Sequence, residues 1–440
     1  MPDTAGSGKH KQTSLWGIAR TARFNKGHRF RNLYGSLTQE SLLRAWNGLN
    51  KNAASGVDKV TVEEYGQDLY GNLSRLSEKL KNKKYKAKLV RRKYIPKENG
   101  KERPLGIPAL EDKIVQGAVV EVLNTIYEQD FLDFSYGYRP KRSGKEASGD
   151  LVFQLQYGKY GYVVEADIKG FFNNIDHDWL LKMLVLRIND KAFIHLIRKW
   201  LKAGILEPDG EVINPETGTP QGGIVSPVLA NIYLHYALNL WFERVVKPNC
   251  KGEAVMCRYA DDWVCGFRYR DDAKRFYKVM PKRLKKFSLE VEPTKTQIIR
   301  FSRFHPGMSR RFTFLGFEFF WFNDRQGNPR VKRRTARKKL QGAEKRIRDW
   351  IKGNRHKPVK TFFKKLNSKL IGHYNYYGVR GNSRSIWRFY RTVIFTSFIW
   401  LNRRSQRKSY TWERFKRVLE YMKVARPRIT EYKRLHRVAY

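Results

Sequence analysis

The spacing of apolar residues along the chain predicts short strands that alternate with amphipathic helices. Residues 36–52 carry leucines and a tryptophan on one helical face, and either Ser36 or Thr38 is suited to cap that helix. Two strand-like runs then flank a turn at residues 98–101, where an Asn-Gly pair is typical of a β-hairpin. A longer apolar helix is predicted to begin near Leu110.

The middle of the chain continues the same mixture of elements. A strand is predicted to end at Asp167, and after a turn a helix is predicted to start around Asp176 or His177. The Gly/Pro-rich loop at residues 217–223 leads into a long apolar helix. Residues 254–267 have the composition of two short strands with adjacent aspartates at their joint. These elements together predict a mixture of helices and short strands.

The character of the sequence changes near residue 325. Residues 330–440 contain 34 lysines and arginines against five acidic residues, and their apolar pattern is predominantly helical. We therefore expect a domain boundary at about residue 325. The first 35 residues are polar and basic, which is typical of a flexible or RNA-contacting arm.

The charge of the chain narrows its possible partners. The 440 residues carry a formal net charge of +48, and aromatic residues make up 14% of them. So large a positive charge opposes compaction unless a polyanion offsets it. Together with the aromatic content it indicates nucleic acid, whose phosphates pair with Lys and Arg and whose bases stack on rings. The alternative is a basic surface that only keeps the protein in solution.

Cysteine usage and the N-terminus bear on the compartment. Cys250, Cys257 and Cys265 form no C-x-x-C pair, so they predict buried thiols in a reducing cytosol, and neither a zinc knuckle nor a disulfide framework. The N-terminus has no apolar segment of the secretory kind, and no long uncharged apolar stretch predicts a membrane helix. We therefore expect a cytoplasmic protein without a membrane partner.

Three aspartates are the candidate chemistry. If the strand ending at Asp167 lies beside the strands around Asp261 in one antiparallel sheet, the two carboxylates approach each other, while Asp262 points differently. Clustered carboxylates are suited either to two Mg²⁺ ions in phosphoryl transfer or to an acid–base pair with a raised pKa. A nucleic-acid partner favours the metal site. An Asp-Asp pair can also be a solvated turn, and Asp271–Asp272 is expected to be one that caps a helix.

The ordered motifs of the chain resemble those of the reverse transcriptases encoded by bacterial group II introns. The box YADD at residues 259–262 is similar to the catalytic box of reverse transcriptases in general. Seven blocks in the expected order carry the closer resemblance: IPKENGKERPLGIP (95–108), FSYGYRPKRSGKEA (134–147), ADIKGFFNNIDHDWL (166–180), GTPQGGIVSPVLANIYL (218–234), RYADDWV (258–264), LEVEPTKT (289–296) and FTFLGFEF (312–319).

The resemblance implies an α+β fold of the right-hand polymerase kind, in which fingers and a palm with an antiparallel sheet precede an all-helical thumb and maturase domain. The implied domains are a basic N-terminal arm (1–35), fingers and palm (36–325), a helical thumb/maturase domain X (326–400) and a short basic DNA-binding tail (401–440). Many family members carry an HNH endonuclease with cysteine pairs. Because all three cysteines lie before residue 270, we expect no such domain in this sequence.

The resemblance also assigns roles at the candidate site. Asp167, Asp261 and Asp262 would hold two Mg²⁺ ions, with the backbone carbonyl of Ile168 as a further ligand. The substrates would be dNTPs and the reaction RNA-directed DNA synthesis, in which the primer 3′ oxygen attacks the α-phosphate and pyrophosphate leaves.

Further residues are implied at the nucleotide. Lys97 and Arg103 would reach the triphosphate, although both also fit ordinary charges at a hairpin tip. Phe171 or Phe172 would press on the sugar and exclude a 2′-hydroxyl; the motif does not separate them, and at least one suits the core. Gln221 would lie near the nucleotide and template. Lys295 would assist the departure of pyrophosphate, or would be a surface lysine at a strand end.

The implied partners are group II intron RNA, a target DNA and its primer strand. The protein would bind the intron RNA, promote its splicing and copy it by target-primed reverse transcription during intron homing, as a nucleoid-associated ribonucleoprotein. Cations interleaved with aromatic rings in the C-terminal region suit folded RNA. The candidate RNA-binding residues there are Tyr374, Tyr376, Tyr377, Arg380, Arg384 and Arg388.

Two alternatives remain open from the sequence. The first is a domesticated reverse transcriptase in phage defence or in a CRISPR-associated or retron-like system. The second is a splicing cofactor that binds RNA without polymerising, although the intact set of Asp167, Asp261 and Asp262 argues against it.

Overall fold

The computed structural model describes residues 14–96, 100, 102–219, 222–304, 310–404 and 409–431. The predicted site residues Lys97 and Gln221 lie outside these ranges, as do three of the four residues of the predicted hairpin turn. Among the described helices, none is long and apolar enough to cross a membrane.

The described strands form three sheets. In chain order the strands are β1 (Val90–Pro96), β2 (Glu102–Ile107), β3 (Tyr162–Asp167), β4 (Ile205–Leu206), β5 (Val212–Ile213), β6 (Ala254–Tyr259), β7 (Asp262–Phe267), β8 (Gln297–Arg300), β9 (Phe312–Phe314), β10 (Phe317–Asn323) and β11 (Pro329–Thr335). The strand orders are β2-β1-β4-β5, β6-β7-β3-β8 and β11-β10-β9.

Most of the described strand pairs are antiparallel, and helices accompany them, so the fold belongs to the α+β class, as predicted. The described helices are α1 (Leu15–Phe24), α2 (Gln39–Gly48), α3 (Val62–Gln67), α4 (Leu69–Lys81), α5 (Leu110–Tyr127), α6 (Gly144–Tyr157), α7 (His177–Val185), α8 (Lys191–Leu201), α9 (Ser226–Leu234), α10 (Arg270–Lys285), α11 (Arg337–Asn354), α12 (Val359–Tyr377), α13 (Ser383–Asn402) and α14 (Trp412–Tyr421).

The chain folds as two compact units that do not follow chain order. The first contains the described residues up to Arg142 together with Ala166–Trp263 and Asp271–Gln297. The second contains Ser143–Glu165, Val264–Arg270 and the described residues from Ile298 onward.

Local sequence signals set several helix starts in the first unit. Of the two predicted caps for α2, Thr38 is the one used, because its hydroxyl accepts a hydrogen bond from the amide of Ser41 at 3.3 Å. Asp176 caps α7 by accepting from the amide of Trp179 at 2.9 Å. The predicted helix near Leu110 is confirmed as α5.

The prediction for Asp271–Asp272 is wrong. Helix α10 begins at Arg270, so both aspartates lie in its first turn instead of capping it. Asp272 is buried, and it accepts hydrogen bonds from the amide of Gly252 at 3.2 Å and from Arg275 at 2.8 Å. The immediate sequence neighbours of an aspartate do not show whether it is solvated or, like Asp272, hydrogen-bonded to another segment of the chain.

The predicted hairpin is confirmed in β1 and β2. They pair antiparallel from Arg91 opposite Ile107 to Pro96 opposite Glu102. Helix α5, which follows them, packs against α1, α2 and α9 and is buried around most of its circumference. Its apolar residues therefore show little of the one-sided pattern of a surface helix.

The second unit contains a strongly paired hairpin and the C-terminal helices. Strands β10 and β11 pair antiparallel from Phe317 opposite Thr335 to Asn323 opposite Pro329. The boundary predicted at about residue 325 therefore falls in the turn of this hairpin, so the change in charge there does not mark a break in the fold. Side chains from α11 to α14 form one apolar core, which includes Leu340, Phe363, Leu370, Phe389 and Phe415.

Candidate active site

The ends of two neighbouring strands bring the three predicted aspartates to one edge of a sheet. Asp167 is the last residue of β3 and Asp262 is the first residue of β7, and these strands are adjacent. Asp261 lies in the short turn between β6 and β7. The predicted adjacency of the strand ending at Asp167 and a strand of the Asp261–Asp262 joint is therefore confirmed.

The electrostatics of the site are set by like charges held close together. The pKa of Asp261 is raised, first by burial of its carboxyl group and also by the negative charge of Asp167. The positive charges of Arg103 and Arg258 oppose this shift. Two partly buried carboxylates that repel each other are stabilised by a cation placed near both.

Lys295 supplies one such charge. Its ammonium group forms an ion pair with the carboxylate of Asp167. The backbone holds it there, because the amide of Glu292 donates to the carbonyl of Asp167 at 2.8 Å and Lys295 ends the short helical turn that follows. The pKa of Lys295 is raised, mainly by its hydrogen bond to Asp167, and the charge of Asp262 acts in the same direction.

The donor set is suited to a divalent cation. Carboxylate oxygens are the ligands that Mg²⁺ prefers, and repulsion between Asp167 and Asp261 is relieved by a cation that both bind. In the described part of the chain, however, no three acidic, imidazole or thiol side chains are already gathered as one metal-binding group. Asp167 instead faces Lys295. The side chain of Ile168 is buried, and this residue bridges to Val291 of the neighbouring segment.

The structure distinguishes the two phenylalanines that follow Asp167. Gly170 has a φ of 56°, in the left-handed region that glycine adopts readily, and a short helical turn containing both rings follows it. Phe171 is buried, with 2% of its surface exposed. Phe172 is only partly buried, and its ring meets that of Tyr138 edge to face at 6.1 Å between centroids. Phe172 is therefore the one that has an accessible face.

Tyr138 is a site residue that the sequence did not single out. Burial raises the pKa of its hydroxyl, and the charge of Asp261 raises it further while that of Arg103 lowers it. The tyrosine therefore lies in the field of both groups. The block that contains Tyr138 was recognised only through its resemblance to the family. A tyrosine in the sequence does not indicate that a residue more than a hundred positions away, such as Asp261, lies near it.

Strand β2 of the first unit carries Arg103 and is contacted by the Gly-rich loop. Arg103 is exposed on β2, opposite Ile95 of β1, and its charge reaches Asp261. In the loop, a Cβ on Gly222 would lie 2.5 Å from the carbonyl oxygen of Gly106, so the backbone of the loop packs directly against strand β2. Gln116 fixes the loop further by accepting from the amide of Ile224 at 2.9 Å.

Two of the predicted RNA-binding residues are engaged inside the second unit. Tyr374 is fully buried, and its hydroxyl donates to the carbonyl of Ala425 at 3.2 Å. The prediction that Tyr374 contacts RNA is therefore wrong, because its ring belongs to the helical core. Arg388 binds both carboxylate oxygens of the buried Glu344, at 2.9 and 3.1 Å, although its side chain remains partly exposed.

The other predicted RNA-binding residues are at or near the surface. Tyr376 is 41% exposed, and its hydroxyl donates to the carbonyl of Leu315 at 3.0 Å. Tyr377 is half-buried and packs against Tyr376. Arg380 and Arg384 are exposed.

A basic groove of about 660 Å³ lies between α13 and the β10–β11 hairpin within the second unit. Its lining combines two aromatic rings with several cations. These side chains are Phe320, Phe322, Lys332, Arg334, Arg384 and Arg388. The ammonium of Lys332 lies 4.3 Å from the centre of the Phe322 ring. Cations beside flat rings are suited to phosphates and stacked bases.

Comparison with known families gives a match over the middle of the chain. The family described as "Reverse transcriptase (RNA-dependent DNA polymerase)" matches residues 95–319, just over half of the chain. This range contains the three aspartates, the Gly-rich loop and the residues expected to bind the nucleotide.

Individual relatives are similar over about half of this chain. The group II intron-encoded protein LtrA of Lactococcus lactis subsp. cremoris is 40% identical over 223 residues, which are 50% of this chain and 36% of that protein. The protein YkfC of Escherichia coli is 36% identical over 237 residues, 48% of this chain and 62% of YkfC. A 91 kDa protein in the cob intron of Schizosaccharomyces pombe is 38% identical over 210 residues, 47% of this chain and 25% of that protein. The chain thus spans less than two thirds of each.

Replacing Asp261 by asparagine should stabilise the metal-free protein and remove its response to metal. The variant loses a buried negative charge that Asp167 repels, so its thermal unfolding midpoint without divalent ions should rise by a few degrees. Millimolar Mg²⁺ should raise the midpoint of the wild type and leave that of the variant unchanged. Differential scanning calorimetry with and without Mg²⁺ measures both effects.

Asp271→Asn is the matched control, since Asp271 is the exposed member of the other Asp-Asp pair. It should keep the full Mg²⁺ response. Equal responses of the Asp261→Asn protein and the wild type to Mg²⁺ would show that Asp261 does not bind the ion.

Proposed function

We propose that this chain, which belongs to the reverse transcriptase (RNA-dependent DNA polymerase) family, copies an RNA template into DNA. The observation that supports this most directly is the placement of Asp167 and Asp262 at the ends of adjacent strands, with Asp261 beside them. A primer would be extended by one dNTP at a time, with release of pyrophosphate.

The three aspartates would hold two Mg²⁺ ions, with the backbone carbonyl of Ile168 as a further ligand. Bound there, the ions would lower the pKa of the primer 3′-hydroxyl and stabilise negative charge on the leaving group. The chain's own contribution is to keep like charges together: Lys295 lies against Asp167, and the charge of Arg103 acts on Asp261. Both cations reduce the repulsion that otherwise separates the carboxylates.

The nucleotide would lie between these charges and the rings beside them. Arg103, together with Lys97, would bind the triphosphate, and Gln221 would lie near the template. Lys295 is hydrogen-bonded to a proposed metal ligand, so its ammonium would be within reach of the departing pyrophosphate. The partly exposed Phe172 would press on the sugar and exclude a 2′-hydroxyl. The buried Phe171 would pack against the Phe172 ring.

We also propose that the template and partner is a group II intron RNA, which the protein binds, helps to splice and copies at a DNA target. The similarity to intron-encoded relatives supports this, as does the basic groove of the second unit. Arg380, Arg384, Tyr376 and Tyr377 would take part in RNA binding, while Arg388 would contribute its exposed edge and keep its contact with Glu344.

Primer extension on an RNA template tests the activity. The wild type with Mg²⁺ and dNTPs should make full-length cDNA, whereas Asp261→Ala combined with Asp262→Ala should reduce the rate by at least about a thousandfold, because the metal-binding oxygens are removed. Asp271→Asn is again the control and should extend normally. If the wild type makes no cDNA but still stimulates splicing of an intron RNA, the protein is an RNA-binding cofactor and the polymerase proposal is wrong.

Substitution of Phe172 should change the choice of sugar. Phe172→Ala removes the exposed ring, so incorporation of rNTP relative to dNTP should rise by about tenfold or more, with a smaller effect on dNTP incorporation itself. Phe171→Leu, which keeps an apolar side chain in the core, should leave the ratio unchanged. Single-nucleotide incorporation kinetics give the ratio, and an unchanged ratio in Phe172→Ala would assign the selection to another side chain.

Neutralising the groove of the second unit should weaken RNA binding and its dependence on salt. The double variant replaces Lys332 and Arg384 by glutamine. If each residue binds a phosphate, the negative slope of log affinity against log salt should become shallower by about 0.7 for each phosphate that is no longer neutralised. The control replaces Lys360 and Lys364, which are exposed on α12, in the same way. Fluorescence anisotropy with a labelled RNA at several salt concentrations measures the slope, and equal slopes in the two double variants would contradict the assignment.

A further inference from the structure

Arg258 is a buried cation that the proposed mechanism does not use. It is a residue of β6 and is fully buried. Its guanidinium donates hydrogen bonds to four neutral oxygens in the described chain: Oδ1 of Asn239 at 3.0 Å, Oδ1 of Asn231 at 3.1 Å, Oγ of Ser135 at 2.5 Å and the carbonyl of Ala260 at 2.6 Å.

Burying an arginine without a carboxylate partner is energetically unfavourable, so its retention suggests that the hydrogen-bonding geometry of the guanidinium is needed. Burial lowers the pKa of Arg258 to about 9, and the nearby charge of Arg139 lowers it as well. An apolar side chain of similar volume would avoid this desolvation. An arginine is retained more easily where its planar fork must join several groups at fixed angles.

The four partners belong to three separate segments that meet at the turn between β6 and β7. Ser135 precedes α6 in the chain, Asn231 lies on α9, and Asn239 ends the π-helical turn that continues α9. Asn231 also donates to the carbonyl of Gly137 at 2.7 Å. Arg258 and Asn231 thus join the turn to the segment around Ser135 and to the long apolar helix.

The turn itself is held in an unfavourable conformation. Ala260 has a φ of 57°, in the left-handed region, which is unfavourable for a residue with a Cβ. Its backbone is also closely packed, since a Cβ on Gly137 would lie 2.3 Å from the amide nitrogen of Ala260. The turn is therefore maintained from both sides, by the guanidinium at the carbonyl of Ala260 and by the bare backbone of Gly137 at its nitrogen.

The carbonyl that Arg258 holds lies in the same planar peptide group as the amide of Asp261. Because that group is rigid, fixing the oxygen of Ala260 fixes the direction in which the chain enters Asp261. The next residue, Asp262, begins β7. A change in the plane of this one peptide would therefore reorient two of the three proposed metal ligands.

We propose that Arg258 is a positioning residue, which holds the peptide plane between Ala260 and Asp261 and thereby aims both carboxylates at the divalent cations. This inference rests on the proposed function, since it concerns the same site. Arg258 would act without touching substrate or metal, through the backbone of Ala260; its charge also acts on Asp261, and a lysine at position 258 keeps that charge.

Another buried arginine of the first unit provides a comparison. Arg187 is 3% exposed, but it pairs with the carboxylate of Asp130 at 2.8 Å and donates to backbone carbonyls of the N-terminal segment, including those of Asn25, Lys26 and His28. Loss of the Arg187 guanidinium should therefore lower the stability of the protein and leave the three aspartates of the candidate site in place. Arg187→Lys is a matched control for Arg258→Lys.

The test measures metal binding directly, as well as the rate of extension. Mn²⁺ affinity is obtained from the electron paramagnetic resonance signal of the free ion. A lysine keeps the charge but cannot span the four acceptors, so Arg258→Lys should weaken Mn²⁺ binding by about tenfold. It should raise by a similar factor the Mg²⁺ concentration needed for half-maximal single-nucleotide addition, with unchanged affinity for the primer–template. Arg187→Lys should change neither metal value.

A second substitution separates positioning from general loss of structure. Glycine adopts the left-handed conformation without strain, so Ala260→Gly added to Arg258→Lys should restore part of the Mn²⁺ affinity. If Arg258→Lys does not fold, Ser135→Ala, which removes one acceptor, takes its place with the same expectations. Failure of Ala260→Gly to restore binding, or equal decreases of metal affinity in the Arg258 and Arg187 variants, would overturn the proposal.

The two proposals fail in different ways. If Arg258→Lys weakens Mn²⁺ binding while the wild type makes no cDNA, Arg258 positions a metal site and the polymerase assignment is wrong. If the wild type extends primers and its Mn²⁺ affinity is unaffected by Arg258→Lys or Ser135→Ala, the polymerase assignment stands and the positioning role is refuted.

Discussion

The repulsion between Asp167 and Asp261 is the constraint on which the candidate site depends. Burial, and after it the charge of Asp167, raises the pKa of Asp261, and nearby positive charges oppose this rise. The positive charges of the site come from separate elements: Lys295 after α10, Arg103 on β2 and Arg258 on β6. Arg103 and Lys295 are far from Asp261 in the sequence, so their charges can act on this pair of aspartates only when the sheet and its hairpin have formed.

Close backbone approach is the second requirement of this site. Gly222 lies against the carbonyl of Gly106, and Gly137 lies against the amide of Ala260, so a side chain at either glycine would collide with main-chain atoms. Main-chain atoms are less adaptable than side chains, and these contacts therefore fix the loop and the turn more firmly than apolar packing would.

Charge in the second unit serves two purposes that its composition does not separate. Some cations pair with carboxylates of the fold: Arg333 is buried against Glu431, and Arg388 binds the buried Glu344 although it also lines the groove. Others, such as Arg384 and Lys332, line an open groove beside aromatic rings. The first group contributes to folding and the second is available to phosphates, although all four residues look alike in the sequence.

Local sequence was sufficient to specify the mixture of helices and strands, the β1–β2 hairpin, the approximate starts of α2, α5 and α7, and the two strands whose ends carry the aspartates, whereas the α+β class came from the family resemblance. Each of these depends on periodicity, capping or turn chemistry within a few residues. Tertiary contacts were needed to settle which phenylalanine after Asp167 is accessible, that Tyr138 lies beside it and that Tyr374 belongs to a core. They also bury Asp272 and place Arg258 at the turn before Asp261. These features depend on segments far apart in the chain, and burial by such segments leaves no local pattern in the sequence.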